Sequence, residues 1–247
     1  MKNALLFISI IMLGASSLIS QNKNMSPLDK MYEAYLTGKR SLWEESIRDL
    51  KEDFRASANT DGRVLYELVL AQHGLIGAMY VEKDGDAIYK VLDEAERNAT
   101  KLLKFPQYKS QGYSFLGAIL SIRVGLNTMK AIYLGSKIEQ NYKDAARVDP
   151  ENPSLWVEKG HLKFHSPAIF GGSNSDAIKF YLKAIKLFDQ QPEMKDRNWH
   201  YMHALISLGQ VYEETGQKEK AIAIYKKAIA IDSRFKLVKE ELLPGVR

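Results

Sequence analysis

Cysteine is absent from the 247 residues, and proline is scarce, with only 7. The lack of cysteine excludes a disulfide framework, Cys-ligated zinc, iron–sulfur clusters and a thiol nucleophile. With 16 glycines and 7 prolines, collagen-like and low-complexity chains are excluded as well. The hydrophobic share of 45% is that of a folded protein, so wholesale disorder is excluded too. The length fits one large domain or two small ones.

The N-terminus has the three parts of a secretory signal. Lys2 supplies a positive charge, residues 4–19 form a short apolar run, and small side chains follow near its end. This pattern predicts a signal peptide over residues 1–20, cleaved after Ser20 or alternatively after Ser17, and a mature chain over 21–247. An uncleaved membrane anchor is the other interpretation, but the run is shorter than the ~20 residues that cross a bilayer. No later stretch is long and apolar enough to span, so we expect an exported protein, periplasmic or secreted, of a Gram-negative bacterium.

The clearest internal unit covers the 34 residues 202–235. Small and large side chains recur in it at fixed positions: Leu205, Leu208, Gly209, Tyr212, Ala221, Tyr225 and Ala228. Small residues let two antiparallel helices approach closely, and the leucines and tyrosines fill the space beside them. This spacing resembles the tetratricopeptide repeat (TPR), a helical hairpin of 34 residues. Only Ser233 departs from the pattern, at a position where proline is usual.

The same pattern recurs upstream with decreasing clarity. Residues 153–188 form a second well-preserved unit, and a helix within 110–133 pairs with the helix that contains Tyr142. In that pair Leu126 stands where the glycine is usual. Two further hairpins are predicted at 27–54 and 62–103 from the helical spacing of apolar residues, and no stretch alternates as strands do. The predicted fold is an all-α superhelix, a TPR-like solenoid of about five hairpins with a short closing helix near 237–243, in one domain over 21–247.

A glycine-bearing loop separates the helices of the 153–188 unit. It contains the motif Pro-x-x-Phe-Gly-Gly, which resembles an insertion in exported bacterial TPR proteins and, more loosely, in the T component of tripartite ATP-independent periplasmic transporters. A phosphate-binding loop is not predicted, because no Lys followed by Ser or Thr comes after the last glycine. We expect Phe170 to pack between repeats and Ser175 to cap the next helix.

Catalytic motifs are not found in this sequence. There is no Gly-x-Ser-x-Gly elbow, and adjacent acidic residues along a helix point to different sides. We therefore predict no catalytic residue and no enzyme activity. The net charge of +5 is dispersed along the chain, so a nucleic-acid partner is not predicted either.

The histidines are the remaining candidates for chemistry. His161 and His165 share one helical face, as do His200 and His203, so four imidazoles can in principle meet at zinc or copper. Leu162 stands where a metalloprotease motif needs Glu. The simpler interpretation is that these are surface or packing residues, and neither a metal nor a cofactor is predicted.

The TPR resemblance implies a concave groove lined by the first helix of each hairpin. Carried over to this chain, the groove positions are Ser154, Val157, His161, Phe164, His165, His203, Ile206, Gln210, Glu213 and Glu214. An apolar stripe flanked by imidazoles and carboxylates suits an extended segment of another protein. We expect an interaction or scaffold protein with a protein or peptide partner. The alternatives are a transport accessory that binds a small hydrophobic ligand or a solute-binding protein, and a plain structural spacer.

Overall fold

The computed structural model describes residues 25–82 and 84–246, and within these ranges the regular structure is entirely helical. Five hairpins follow one another: α1 Pro27–Thr37 with α2 Arg40–Ala56, α3 Gly62–Glu82 with α4 Gly85–Leu102, α5 Lys109–Leu126 with α6 Ala131–Val148, α7 Pro153–His165 with α8 Asn174–Asp189, and α10 Trp199–Glu214 with α11 Lys218–Ile231. A four-residue helix, α9, covers Pro192–Lys195. The chain ends in a π-helical segment, Leu237–Leu242, that continues into Leu243–Gly245. The all-α solenoid is confirmed, and the predicted signal peptide lies outside the described residues.

Short polar side chains begin several of these helices. Ser26, Asn152 and Asn198 each accept a hydrogen bond from a backbone N–H of the first turn of the helix that follows. Ser173, rather than Ser175, caps α8 by accepting from the N–H of Asp176, which corrects the expectation for that loop. Gly216 has a φ of +71° in the turn between α10 and α11, in the left-handed region that glycine adopts at no steric cost.

A glycine-on-tyrosine contact joins the two helices in each of the last three hairpins. A Cβ built on Gly160 would lie 2.5 Å from Cε1 of Tyr181, and Gly209 faces Tyr225 in the same way. Gly117 faces Tyr142 in the third hairpin, where a Cβ would lie 2.6 Å from the ring. The assignment of that position to Leu126 is therefore wrong. The hairpin has a longer connection, with a 3-10 turn at Thr128–Lys130, and this displaces the glycine from the usual spacing.

The first hairpin packs against the last one. Tyr35 of α1 contacts the rings of Trp199, His203 and Phe235, and Trp43 of α2 meets Trp199 edge-on with ring centroids 5.1 Å apart. Ion pairs surround this contact on the surface: Arg197 with Asp29 at 3.0 Å, and Arg234 with Glu33 at 2.8 Å. The first helices of the hairpins therefore enclose a core, because α1 closes the concave side of the superhelix.

Helix α3 crosses the middle of the molecule. Its length and a mean hydropathy of 1.3 over 18 residues would allow it to span a membrane, contrary to the expectation from the sequence. However, 67% of that window is buried inside the protein. Such burial is typical of the core helix of a globular domain, which is apolar on all sides.

Candidate functional site

Because α1 closes the concave side, part of the predicted groove is buried. Ser154, Val157 and Ile206 are buried in the interior, where an incoming segment cannot reach them. Four of the predicted residues are partly buried: His161, Phe164, His203 and Glu213. Three are exposed at the C-terminal ends of α7 and α10: His165, Gln210 and Glu214. A continuous open groove is therefore not formed by these ten side chains, and only its outer end faces solvent.

The inner end of the concave side contains a buried carboxylate between two imidazoles. Oε1 of Glu158 lies 3.1 Å from Nε2 of His73 and 2.9 Å from Nε2 of His200. The three residues come from α3, α7 and α10, and the side chain of Glu158 is 3% exposed. Nδ1 of His200 lies 3.4 Å from the hydroxyl of Ser154, whereas Nδ1 of His73 has no hydrogen-bond partner among the described residues. We call His73, Glu158 and His200 the His–Glu–His triad.

The electrostatics of this triad depend on burial and on the two imidazoles. Burial alone would raise the pKa of Glu158, but His73 and His200 outweigh it and hold that pKa well below its usual range. Burial also lowers the pKa of His200, which disfavours its charged form at neutral pH. No Lys or Arg forms an ion pair with Glu158 in the part of the chain that the structure describes. The carboxylate charge is thus compensated only by imidazole donors.

A second imidazole pair lies beside the triad. The rings of His161 and His203 are 4.6 Å apart between centroids. The hydroxyl of Tyr181 forms a hydrogen bond with Nδ1 of His161 at 2.7 Å, and the hydroxyl of Tyr35 forms one with Nδ1 of His203 at 3.0 Å. Burial lowers the pKa of His161 to about 3 and that of His203 well below its usual value. Both imidazoles are neutral at physiological pH.

The five histidines therefore do gather, but in a different arrangement from the four imidazoles considered from the sequence. His165 stacks on His161 with centroids 5.9 Å apart and stays exposed at the outer end. His73 belongs to the triad, although it stands 85 residues before Glu158 in the sequence. Its ring is 6.0 Å from that of His200 between centroids. Helical spacing pairs residues within one helix, so it could indicate neither His73 nor Glu158 as a partner of His200.

Exposed apolar side chains lie in the connections between paired helices and in the helix ends beside them. They lie at the end where the first helices of hairpins two, three and four finish, and they are Tyr80, Val81, Met129, Ile132, Tyr133, Ile169 and Phe170. We call this set the loop edge. Ile132 is 87% exposed, and Phe170 is 61% exposed, which overturns the expectation that Phe170 packs between repeats. The loop folds back on α7 through its backbone, because Ser173 N–H donates to the carbonyl of Lys163, and this leaves the Phe170 side chain outside.

Comparison with known proteins supports the repeat assignment. Residues 203–235 match the family described as tetratricopeptide repeat. Two solved structures share the fold: a thermophilic TPR protein from Thermus thermophilus and the HusA haemophore from Porphyromonas gingivalis. The first is 20% identical, with a TM-score of 0.55 over 88% of this chain and 95% of that one. The second is 17% identical, with a TM-score of 0.61 over 76% of this chain and 92% of that one.

A curated human relative shares sequence with part of the chain. Cilia- and flagella-associated protein 70 of Homo sapiens is 33% identical over 93 residues, which are 38% of this chain and 7% of that protein. The chain therefore spans only a small fraction of the length of this relative. These similarities assign a tetratricopeptide repeat to residues 203–235, and the structural neighbours show that the helical-hairpin fold extends over most of the chain.

Proposed function

We propose that this chain is an exported scaffold protein that binds a protein partner along the loop edge and the outer end of the concave face. The observation that carries the proposal is the row of exposed apolar side chains on three successive hairpins. Large apolar side chains that are contiguous and exposed mark interaction surfaces in soluble proteins. The signal-like residues 1–20 support export, so we propose that the encounter takes place in the periplasm or outside the cell.

The character of the surface favours a partner segment that is apolar at its centre. Ile132, Ile169 and Phe170 offer aliphatic and aromatic contact area. The exposed carboxylate of Glu214, which accepts a hydrogen bond from Asn174 at 3.3 Å, lies beside the fourth loop. A polar rim around an apolar centre is the usual composition of a transient interface.

Site-directed photo-crosslinking in the native host tests this proposal. A photoreactive phenylalanine analogue at Phe170 or Ile132 should give one discrete crosslinked protein, identified by mass spectrometry. The matched control places the same analogue at Lys186, which is exposed on the second helix of the same hairpin. Equal crosslinking from the control position, or none from either edge position, would contradict the proposal.

Variants should then separate binding from folding. Phe170→Glu with Ile132→Glu changes only exposed side chains, so the thermal midpoint should stay unchanged while recovery of the crosslinked partner is lost. Ile206→Glu is unsuitable for this purpose, because Ile206 is buried and a carboxylate there would test folding.

A small hydrophobic ligand is the second candidate, as expected of a transport accessory. His165 is an exposed imidazole whose ring lies 4.7 Å from that of Phe164, and exposed Ile169 and Phe170 follow it in the chain. An imidazole among apolar side chains suits haem, and HusA, which shares the fold, is described as a haemophore. Titration with haemin should then give a Soret shift that His165→Ala abolishes. An unchanged spectrum in the wild type would eliminate this candidate.

A further inference from the structure

We infer that the His–Glu–His triad binds a divalent first-row transition ion, with zinc as the leading candidate. The geometry supplies the first argument. The ligand atoms Nε2 of His73, Oε1 of Glu158 and Nε2 of His200 all lie within 4.8 Å of one another. Zinc bonds of about 2.0–2.2 Å in a tetrahedral site place neighbouring ligand atoms roughly 3.3 Å apart, so small side-chain shifts close the site.

The donor set supplies the second argument. Two imidazole nitrogens and one carboxylate oxygen are ligands of zinc, iron, cobalt, nickel and copper, whereas magnesium and calcium prefer oxygen alone. With three protein ligands, a tetrahedral ion keeps its fourth position for water. The chain contains no cysteine, so a thiolate site does not compete for the ion.

Charge supplies the third argument. Glu158 is buried, and its partners in the described chain are two imidazoles, without a Lys or Arg ion pair. Buried charges in proteins are paired or coordinate a metal ion. An ion at this place would neutralise the carboxylate more fully than hydrogen bonds from the two imidazoles do.

The surroundings of His200 fit the role of a ligand. When Nε2 binds the ion, Nδ1 carries the proton and needs an acceptor. The Ser154 hydroxyl, 3.4 Å from Nδ1 of His200, provides one. Nδ1 of His73 is buried and has no acceptor among the described residues, so His200 alone has this outer partner.

The site would join the second, fourth and fifth hairpins of the chain. His73 belongs to α3, Glu158 to α7 and His200 to α10. An ion there binds only the folded chain, so it stabilises the superhelix by mass action. This consequence is independent of the loop edge, and neither proposal needs the other.

Metal titration of the full, tag-free chain after dialysis against EDTA tests the inference. Calorimetry with Zn²⁺ should give one equivalent bound and a higher thermal midpoint. Co²⁺ should give visible d–d bands of a tetrahedral site, a readout that needs no variant. Glu158→Gln keeps the shape of the side chain and should weaken Zn²⁺ binding by more than the about 10–100-fold that loss of an outer partner costs.

Two further variants test which residues hold the ion. Ser154→Ala should lower the affinity for Zn²⁺ by about 10–100-fold, because it removes the partner of His200 Nδ1. His165→Ala is the matched control, since it removes an exposed imidazole outside the triad and should leave the affinity unchanged. The inference is overturned if the wild type takes up no Zn²⁺ or Co²⁺. It is also overturned if His165→Ala abolishes binding, because the ion would then be held by the His161 and His165 face of α7.

Discussion

The hydroxyl of Tyr35 forms a hydrogen bond with Nδ1 of His203 across 168 residues of sequence, with the two atoms 3.0 Å apart. Tyr35 lies on the first helix of the first hairpin, and His203 on the first helix of the last. In an open solenoid each repeat contacts only its neighbours, so the two ends would not meet. This contact is therefore a direct measure of the closure of the superhelix.

Removal of that hydroxyl should loosen the closure. Tyr35→Phe keeps the aromatic packing on Trp199 but leaves Nδ1 of His203 without its hydrogen-bond partner, which costs about 1–3 kcal/mol. Chemical denaturation should show this loss in the free energy of unfolding. Tyr133→Phe is the matched control, because Tyr133 is exposed and its substitution should change stability by less than about 0.5 kcal/mol. Equal effects of the two variants would show that the bond contributes nothing.

The glycine-on-tyrosine contacts predict opposite effects of one substitution at two places. Gly160→Ala puts a methyl group 2.5 Å from the buried ring of Tyr181, and overpacking of this kind costs about 1–3 kcal/mol. Gly77→Ala is also within a helix but meets nothing within 4 Å, so it should stabilise the protein by about 0.5–1 kcal/mol. Thermal unfolding distinguishes the two, and a stabilised Gly160→Ala would refute the role of the contact.

Acidification should lower the free energy of unfolding already between pH 7 and pH 5, before the carboxylates are protonated. The folded-state pKa of His161 is about 3 and that of His203 is well below the ordinary value of about 6.5, so the unfolded state binds protons first as the pH falls. Stability is then fully present above about pH 6.5 and decreases below it. His161 should account for about 2 kcal/mol between pH 7 and pH 5, and His203 should add a loss in the same direction.

Urea unfolding at a series of pH values, with EDTA present, checks this pH dependence. His161→Gln should reduce the decrease in stability between pH 7 and pH 5 by the share of one imidazole. The depressed pKa of Glu158 acts in the same direction at lower pH, since its stabilisation is lost only as the pH falls below about 4.5. A free energy of unfolding that is constant from pH 7 to pH 5 would contradict the prediction.

The sequence predicts the local structure well and the long-range contacts poorly. The helices were predictable because each carries its own signals: Ser26 and Asn152 begin helices, and Gly209, Tyr225 and Ala228 repeat at a spacing that only a close-packed hairpin requires. The closure was not predictable from this pattern. It depends on Tyr35 and Trp43 meeting Trp199, and a repeat signature describes contacts between neighbouring units only.

The His–Glu–His triad was not predicted for the same reason, because its contacts join different hairpins. His161 and His165 are visible as a pair because they are four residues apart on one helix. Glu158 and His73 meet His200 from different hairpins, and the one signal available was the presence of a carboxylate on the first helix of a repeat, one turn before His161. The groove positions Val157 and Ile206 were assigned for an open superhelix, and they are buried because the first hairpin occupies that side.

Removal of the last repeat should expose both ends of the molecule at once. A chain truncated after Asp189 loses the partner of Tyr181 and Ile185 on α8, and it also uncovers Tyr35 and Trp43, which pack on Trp199. We expect aggregation and strong binding of an apolar dye, measured by light scattering and fluorescence. Truncation after Leu242 is the control, because it removes only the terminal residues 243–247 and should leave a folded monomer. A soluble fragment ending at Asp189 that melts cooperatively would show that the first four hairpins are stable without closure, and the interface between Tyr35 and α10 would then be a contact between independently stable parts.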